Sequence, residues 1–233
     1  MTIDERTDTA ADRRRVAQRA TLLDAASEML MRGGPDAISL RKLAAKVGTS
    51  TMAVYTAFGG KEGLIAALFE EAFDRLAAAQ RSVPKSPEPL LWLEGLGRAY
   101  RRFAIDNPSY YALMISVTMP VSEAVRHEEP NDGVPPARRI SGQAAYQYLL
   151  DAVEACIAEG SLPSDVEAQM IADALWATVH GLCSLELAGF HATSGEAEAH
   201  FTFACRAMLR GLMTQAGLAR LDALSVPPLR TAN

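Results

Sequence analysis

Two short helical segments joined by a tight turn lie between residues 39 and 64, and this pattern constrains the fold more than any other part of the chain. Ser39 is a good N-cap, and apolar residues then recur at helical spacing over two turns. Gly48 can end this segment because glycine adopts a positive φ without steric cost. Thr49 and Ser50 supply hydroxyls that can cap a second segment, which runs to about residues 55–58. The pattern predicts a helix-turn-helix unit, whose second helix is built to enter the major groove of DNA.

Residues 14–66 resemble the TetR family of transcriptional regulators, through an amphipathic first helix and a Leu-Arg-Lys-Leu-Ala second helix. The most specific part of the match is the string Tyr55-x-x-Phe58-x-x-Lys61-Glu62-x-Leu64. Three positions depart from the family pattern: Thr49 replaces an apolar residue, Ala57 replaces histidine or tyrosine, and Gly59-Gly60 replaces a polar linker. The resemblance implies an all-α fold, with an N-terminal three-helix DNA-binding domain and a C-terminal helical domain for ligand binding and dimerisation. The partners it implies are double-stranded operator DNA, a second copy of the chain and a small-molecule effector.

Composition agrees with a helical protein. The chain has 233 residues, enough for a small DNA-binding unit and one larger domain with a core. Alternating β-branched runs are missing, so no strand pattern competes. The charged start is followed by no apolar stretch typical of a secretory signal, and the apolar stretch 174–190 is short for a membrane span. We therefore expect a soluble, cytoplasmic protein with no membrane partner.

The net charge of −5 is unevenly distributed along the chain. Residues 13–61 contain nine basic and three acidic side chains, whereas residues 62–233 contain 13 basic and 21 acidic ones. A basic module on an acidic body is typical of a protein that presents one end to phosphate. The overall acidity argues against non-specific coating of nucleic acid.

Proline and glycine positions suggest the domain organisation. We predict a disordered tail at 1–12, a DNA-binding domain at 13–60, an effector-binding and dimerisation domain at 61–216, and a C-terminal tail at 217–233 that contains Pro227-Pro228. Outside the helix-turn-helix, helices are expected at about 13–32, 61–79, from Pro89, after Pro108, and at about 137–159, 164–190 and 196–216, with a loop at 128–136.

Candidate DNA contacts cluster in and around the second short helix. Hydroxyl groups can bond base edges or phosphates, and a methionine or threonine methyl can touch a thymine methyl. The family resemblance implies that Tyr55 and Lys61 contact the phosphate backbone, although a purely structural role for Tyr55 stays open. No arginine, asparagine or glutamine lies between Val47 and Gly60, so affinity should depend on phosphates and DNA shape. The predicted contact residues are Ser39, Arg41, Lys42, Ser50, Thr51, Met52, Tyr55, Thr56 and Lys61.

A second motif, Trp176-x-x-x-His180-Gly181, resembles a signature of one TetR subgroup. Its spacing places Trp176 and His180 on one helical face. His180 can be a hydrogen-bonded core residue, a lining residue of an effector cavity, or a metal ligand with Cys183 and Glu186. If a pocket exists, its lining is apolar and suits a hydrophobic ligand, although the same residues could be plain core. The candidate pocket residues are Phe69, Phe73, Tyr100, Phe103, Tyr110, Met114, Trp176 and His180.

The last two long helices carry the signal for assembly. One of them has apolar residues at steps of four, three and four, and the preceding helix is apolar almost all round. The resemblance implies that these helices pair with those of a second chain as a four-helix bundle, and a monomer that buries both helices internally is the alternative. The candidate interface residues are Leu182, Leu185, Phe201, Cys205, Met208 and Leu212.

Catalysis is the competing class of function. His180 and Cys183 could form a base and nucleophile pair, but no third orienting group is evident, and no phosphate loop, carboxylate pair or nucleotide fingerprint appears. The three cysteines are odd in number and lack a paired metal spacing, which favours reduced, core-packed thiols. We therefore expect a regulator rather than an enzyme, with no cofactor and no metal. The alternative that the chain is a DNA-binding regulator without effector sensing stays open.

Overall fold

The computed structural model describes residues 10–34, 37–115 and 142–224, and every regular element in these ranges is helical. The predicted all-α fold is confirmed. The helices are α1 (Ala10–Gly33), α2 (Leu40–Val47), α3 (Thr51–Phe58), α4 (Lys61–Arg81), α5 (Pro89–Asp106), α6 (Pro108–Ile115), α7 (Gly142–Ala158), α8 (Ala168–Leu187), α9 (Ser194–Leu212) and α10 (Gln215–Ala223).

The chain forms two compact units. The N-terminal unit comprises Met1–Phe73 and Ser109–Ile140, and the C-terminal unit comprises Asp74–Pro108 and Ser141–Asn233. The division between them falls inside α4 and at the start of α6. The predicted functional limit between residues 60 and 61 stays a prediction.

The N-terminal unit contains α1, α2, α3, the first part of α4 and nearly all of α6, and leucine is common in its core. Leu22 of α1, Leu43 of α2, Val54 of α3 and Leu64 of α4 are all at most 1% exposed. Each fully buried side chain of this size contributes about 1.5–3 kcal/mol of transfer free energy. The two short helices of the unit therefore depend on tertiary packing, because helices of two turns are marginal on their own.

The C-terminal unit has a core that joins α5, α7, α8 and α9. Its buried residues are Leu90, Trp92, Leu93, Leu96, Ala152, Val153, Cys156, Leu162, Ile171, Ala172, Leu175 and Leu209. Cys156 and Cys183 are buried free thiols and Cys205 is a half-buried one. None of the described helices combines the length and hydropathy that crossing a bilayer requires.

The differences from the predicted helix limits include both ends of α8 and the end of α9. α8 spans Ala168–Leu187 rather than 164–190, and its earlier end is explained by Gly189, which lies in the left-handed region with φ +78°. α9 ends at Leu212 rather than near residue 216, and the Thr214 hydroxyl caps a further helix, α10, most of which lies in the segment predicted as tail. The predictions for residues 1–9, the loop at 128–136, the helix start at 137–141 and the last nine residues lie outside the described part of the chain.

Candidate nucleic-acid interface and effector site

Two serine caps and two glycines set the limits of α2 and α3. The Ser39 hydroxyl accepts from the amide of Lys42 and the Ser50 hydroxyl accepts from the amide of Ala53, which fixes the start of each helix. Gly48 ends α2 with φ 74° and Gly59 ends α3 with φ 73°. Residues with a Cβ rarely adopt this left-handed conformation, so the glycines allow both sharp exits.

α3 has one buried and one exposed side. Val54 is fully buried and Phe58 is 8% exposed, so these side chains anchor the helix to the N-terminal unit. Met52 is 73% exposed and Tyr55 is 51% exposed. α3 therefore presents these two large side chains to solvent.

α1 holds both ends of this short helix. The Gln18 side-chain amide donates to the Thr49 hydroxyl over 3.0 Å, just before the Ser50 cap. The Arg19 guanidinium donates to the carbonyl oxygen of Ala57 over 2.9 Å and lies 4.5 Å from the ring centroid of Phe58. Thr49, which departs from the family pattern, is therefore used as a partner for α1.

Gly63 fixes the junction between α3 and α4. A Cβ at this position would overlap the carbonyl oxygen of Phe58, the last residue of α3. Only glycine therefore allows α4 to begin so close to the end of α3. The sequence prediction did not single out Gly63, although a glycine inside a helix is itself a signal of close backbone approach.

The remaining predicted DNA contacts differ in whether their side chains are exposed or already form hydrogen bonds within the chain. Arg41, Lys42 and Lys61 are exposed. Ser39 and Ser50 are engaged as helix caps, although a hydroxyl can still offer a further hydrogen bond. The Thr56 hydroxyl donates to the carbonyl oxygen of Met52 within α3, and Thr51 is half-buried. The structure therefore places all nine predicted residues in one unit, on or beside the helix-turn-helix.

In the C-terminal unit, the Trp-His motif is part of a polar cluster. The Trp176 indole N–H donates to the Tyr100 hydroxyl over 3.4 Å, and that hydroxyl lies 3.0 Å from Nδ1 of His180. Because an indole N–H can only donate, the Tyr100 oxygen accepts there and can donate its own proton to a neutral imidazole. Burial lowers the pKa of His180, which favours the same neutral form.

Aromatic rings surround this cluster. Tyr146 meets Trp176 edge to face with ring centroids 6.3 Å apart, and the Tyr146 hydroxyl donates to the Asp173 carboxylate over 2.7 Å. Trp176 is 39% exposed, whereas Tyr100 is 4% exposed. The cluster therefore offers an aromatic, partly open surface with buried polar support.

The eight predicted pocket residues do not all belong to one unit. Tyr100, Phe103, Trp176 and His180 lie in the C-terminal unit, and Phe69, Phe73, Tyr110 and Met114 lie in the N-terminal unit. Within the latter group, the Tyr110 hydroxyl donates to the Asp24 carboxylate of α1 over 3.0 Å. The hydrogen bonds between members of the set join Tyr100 to Trp176 and to His180.

The contacts of His180, Cys183 and Glu186 do not fit catalysis or metal binding. Burial raises the pKa of the Cys183 thiol to about 12, whereas a nucleophilic cysteine needs a lowered pKa. Glu186 accepts two hydrogen bonds from the Arg101 guanidinium, at 2.8 and 2.7 Å, which raise the pKa of Arg101. In the part of the chain that the structure describes, no three histidine, cysteine or acidic side chains are arranged to hold a metal ion.

The six predicted interface residues differ in exposure. Leu185 is 46% exposed, but Phe201 is only 6% exposed and has the Arg101 guanidinium 5.6 Å from its ring centroid. Phe201 therefore packs inside its own chain. The other four, Leu182, Cys205, Met208 and Leu212, are half-buried. The open side of α9 instead presents Phe203, which is 65% exposed, at an apolar position that the sequence prediction missed.

An exposed short helix behind a glycine turn, in a chain that also holds a separate helical unit, defines a helix-turn-helix DNA-binding protein. A family model described as bacterial regulatory proteins of the tetR family matches residues 22–68, and one described as the tetracyclin repressor-like C-terminal domain matches residues 93–210. The second model alone covers half of the chain. The chain belongs to the TetR family and is a DNA-binding transcriptional regulator, which points to a non-enzymatic role.

Solved structures share this fold. A protein with unknown function from Rhodococcus sp. RHA1 is 27% identical with a TM-score of 0.65, over 84% of this chain and 96% of that chain. A TetR family transcription regulator from Marinobacter aquaeolei VT8 is 18% identical with a TM-score of 0.67, over 87% and 99%. The TetR family transcriptional regulator PfmR from Thermus thermophilus is 19% identical with a TM-score of 0.60, over 81% and 97%. No curated protein matches the sequence significantly.

Proposed function

We propose that this regulator is a homodimeric repressor that leaves its DNA site when a small apolar effector binds to the C-terminal unit. The observation that carries the proposal is the exposure of Met52 and Tyr55 on α3, while Val54 and Phe58 anchor the opposite side of the helix. A short helix exposed in this way can enter the major groove as a recognition helix.

The chemistry of α3 and its surroundings suggests how DNA is bound. The Met52 side chain can contact a thymine methyl, and the hydroxyls at the start of α3 can bond base edges. We assign the exposed Tyr55 hydroxyl and Lys61 ammonium to phosphate contacts, with Arg41 and Lys42 adding exposed positive charge. We therefore expect a large phosphate contribution and a steep salt dependence.

An exposed apolar face on α8 and α9 supports dimerisation. Leu185 and Phe203 are largely exposed, and exposed small residues share their sides of the helices, namely Ala177, Gly181, Ala207 and Gly211. A Cβ added at Gly181 or Gly211 would meet no atom within 4 Å, so nothing within the described chain requires glycine there. Glycine inside a helix costs about 1 kcal/mol relative to alanine, and it is useful where another helix approaches closely.

A second copy of the chain suits this face. Two identical apolar faces can cover one another across a two-fold axis, which gives an isologous dimer. Such a dimer presents two recognition helices to successive major grooves about 34–36 Å apart. We therefore place the interface on Leu182, Leu185 and Phe203 with the small residues between them, and Met208 and Leu212 at its inner edge.

The effector site is proposed at the Tyr100–Trp176–His180 cluster. The neutral imidazole and the half-exposed indole suit an uncharged, largely apolar molecule. Binding there must favour a conformation in which the recognition helices no longer match the groove spacing, because a ligand with equal affinity for both forms shifts nothing. Repression, rather than activation, is proposed because it is the commoner direction in this family.

The test uses the purified full chain and a labelled duplex that carries its own upstream intergenic DNA. We expect binding that weakens steeply with salt, reduced transcription from the adjacent promoter in vitro, and release by a member of a panel of small apolar molecules. Trp176→Ala should raise the effector concentration needed for release about fivefold or more, equivalent to about 1 kcal/mol, without changing effector-free affinity. Phe190→Ala, at a residue 73% exposed beyond α8, is the matched control. If the purified chain does not bind the upstream duplex, the proposed function is contradicted.

A further inference from the structure

The first turns of α1 extend beyond the core of the N-terminal unit. Every side chain from Arg13 to Gln18 is exposed, and the first buried side chain after this segment is Leu22. Most helices gain their stability by burying an apolar face, and this segment buries none. We call residues 13–18 the α1 overhang. The side chains of the overhang therefore contribute nothing to the core of the N-terminal unit.

The overhang ends where α1 meets the recognition helix. Gln18 bonds Thr49 at the start of α3, and the next residue, Arg19, bonds Ala57 near its end. Arg14 and Arg15 precede these two residues by one helical turn, so they lie about 6 Å further along the axis on the same side of α1. The overhang, which belongs to α1, therefore extends the exposed surface that α3 forms.

The charge of the overhang matches the polyanion that α3 approaches. Three consecutive arginines occupy positions 13–15, and all three side chains are exposed. Guanidinium groups bond phosphate oxygens with two parallel N–H donors, which favours arginine for backbone contacts. Continuity with the recognition surface and complementary charge both indicate duplex DNA as the occupant.

We propose that the α1 overhang is a second DNA-binding element, in which Arg14 and Arg15 clamp the phosphate backbone beside the groove that α3 enters. This inference rests on the DNA-binding function and adds contacts outside the helix-turn-helix and the start of α4. The contacts carry no base information, because phosphates are the same in every sequence. They set the affinity and fix the angle at which α1 and α3 meet the duplex.

The test measures binding of the full-length Arg14→Gln/Arg15→Gln variant to its upstream intergenic duplex across a range of salt concentrations. The slope of log affinity against log salt should fall by about 0.9 for each phosphate contact removed, with unchanged preference among altered base sequences. Ethylation of phosphates at the outer edge of the site should interfere with wild-type binding and lose its effect on the variant. Circular dichroism should show wild-type helicity, since the replaced side chains are exposed.

Arg32→Gln is the matched control, because Arg32 is an exposed arginine in the last turn of the same helix, about 27 Å from Arg14 along its axis. It should keep the wild-type slope. The clamp would be overturned if the double variant kept the wild-type slope of log affinity against log salt, whether or not its base preference changed. The proposed function of the regulator would still stand in that case. If the wild-type chain itself fails to bind the duplex, the proposed function fails as well, so the two failures can be told apart.

Discussion

The hydroxyl oxygen of Tyr100 lies 3.0 Å from Nδ1 of His180, which joins α5 to α8 across 80 positions of sequence. The bond needs a neutral imidazole if the tyrosine is to donate, and Trp176 donates to the same hydroxyl from its other side. The direction of this hydrogen bond therefore depends on the protonation state of His180.

Acidification should weaken the fold through His180. Burial lowers its pKa in the folded state, so the folded chain binds a proton less readily than the unfolded chain, whose value is about 6.5. The stabilising contribution is present above that value and is lost as the pH falls through it towards the folded pKa. Urea unfolding at pH 7.5 and pH 5 should show a smaller drop in free energy for His180→Gln than for wild type. His200→Gln, at an exposed position, should keep the full drop; equal drops in all three proteins would disprove this role.

Replacing Gly63 with alanine should disturb the recognition helix, α3, through its junction with α4. The added Cβ would meet the Phe58 carbonyl oxygen, so α3 or α4 must shift at a cost of about 1–3 kcal/mol. Thermal melts should show a lower Tm, and affinity for DNA should fall with it. Gly195→Ala is the control, because its Cβ would only make an ordinary contact of 3.9 Å with Thr193. A Gly63→Ala protein with unchanged Tm would show that the junction can relax freely.

Lys61→Ala should weaken binding to all DNA sequences to a similar extent. Lys61 is exposed at the start of α4, where helix amide groups also favour an anion. The salt slope should fall by about 0.9 per phosphate contact, or about two units for a dimer. Arg102→Ala removes an exposed positive charge from the C-terminal unit and should leave the slope unchanged. An altered base preference with a constant slope would place Lys61 against bases instead.

Phe203→Glu should abolish dimerisation without unfolding the chain. Phe203 is 65% exposed, so the folded monomer tolerates a carboxylate there, whereas an interface would bury that charge unpaired. Sedimentation should show monomer, and DNA affinity should collapse although α3 is intact. Leu91→Glu places the same charge at another exposed apolar position, on α5, and should remain dimeric. A dimeric Phe203→Glu protein would remove α9 from the proposed interface.

The helix-turn-helix could be predicted because its signals are local. Ser39, Gly48 and Ser50 act within a few residues of their own positions, and the structure uses them as the sequence suggested. The break between α9 and α10 was missed because Met213 continues the apolar pattern across it, and a threonine cap such as Thr214 is not distinctive inside a helical run.

Contacts between residues far apart in the chain could not be predicted from the sequence in the same way. Gln18 meets Thr49 across 31 positions and Arg101 meets Glu186 across 85, and neither pair has a spacing rule. The inward position of Phe201 has the same origin: periodicity places a residue on a helical face but does not say which face meets the core. The exposed side of α9 therefore had to come from the structure.

The two left-handed glycines around α3 have a consequence for how binding specificity can evolve. Gly48 and Gly59 set where the helix region begins and ends, and an inserted or deleted residue between them would rotate the exposed side by about 100°. Changes in length are thereby penalised, whereas Met52, the proposed contact to a thymine methyl, takes no part in the buried anchor and can be exchanged singly. Related regulators can therefore diverge in target sequence by point substitution on a helix whose length and orientation stay constant.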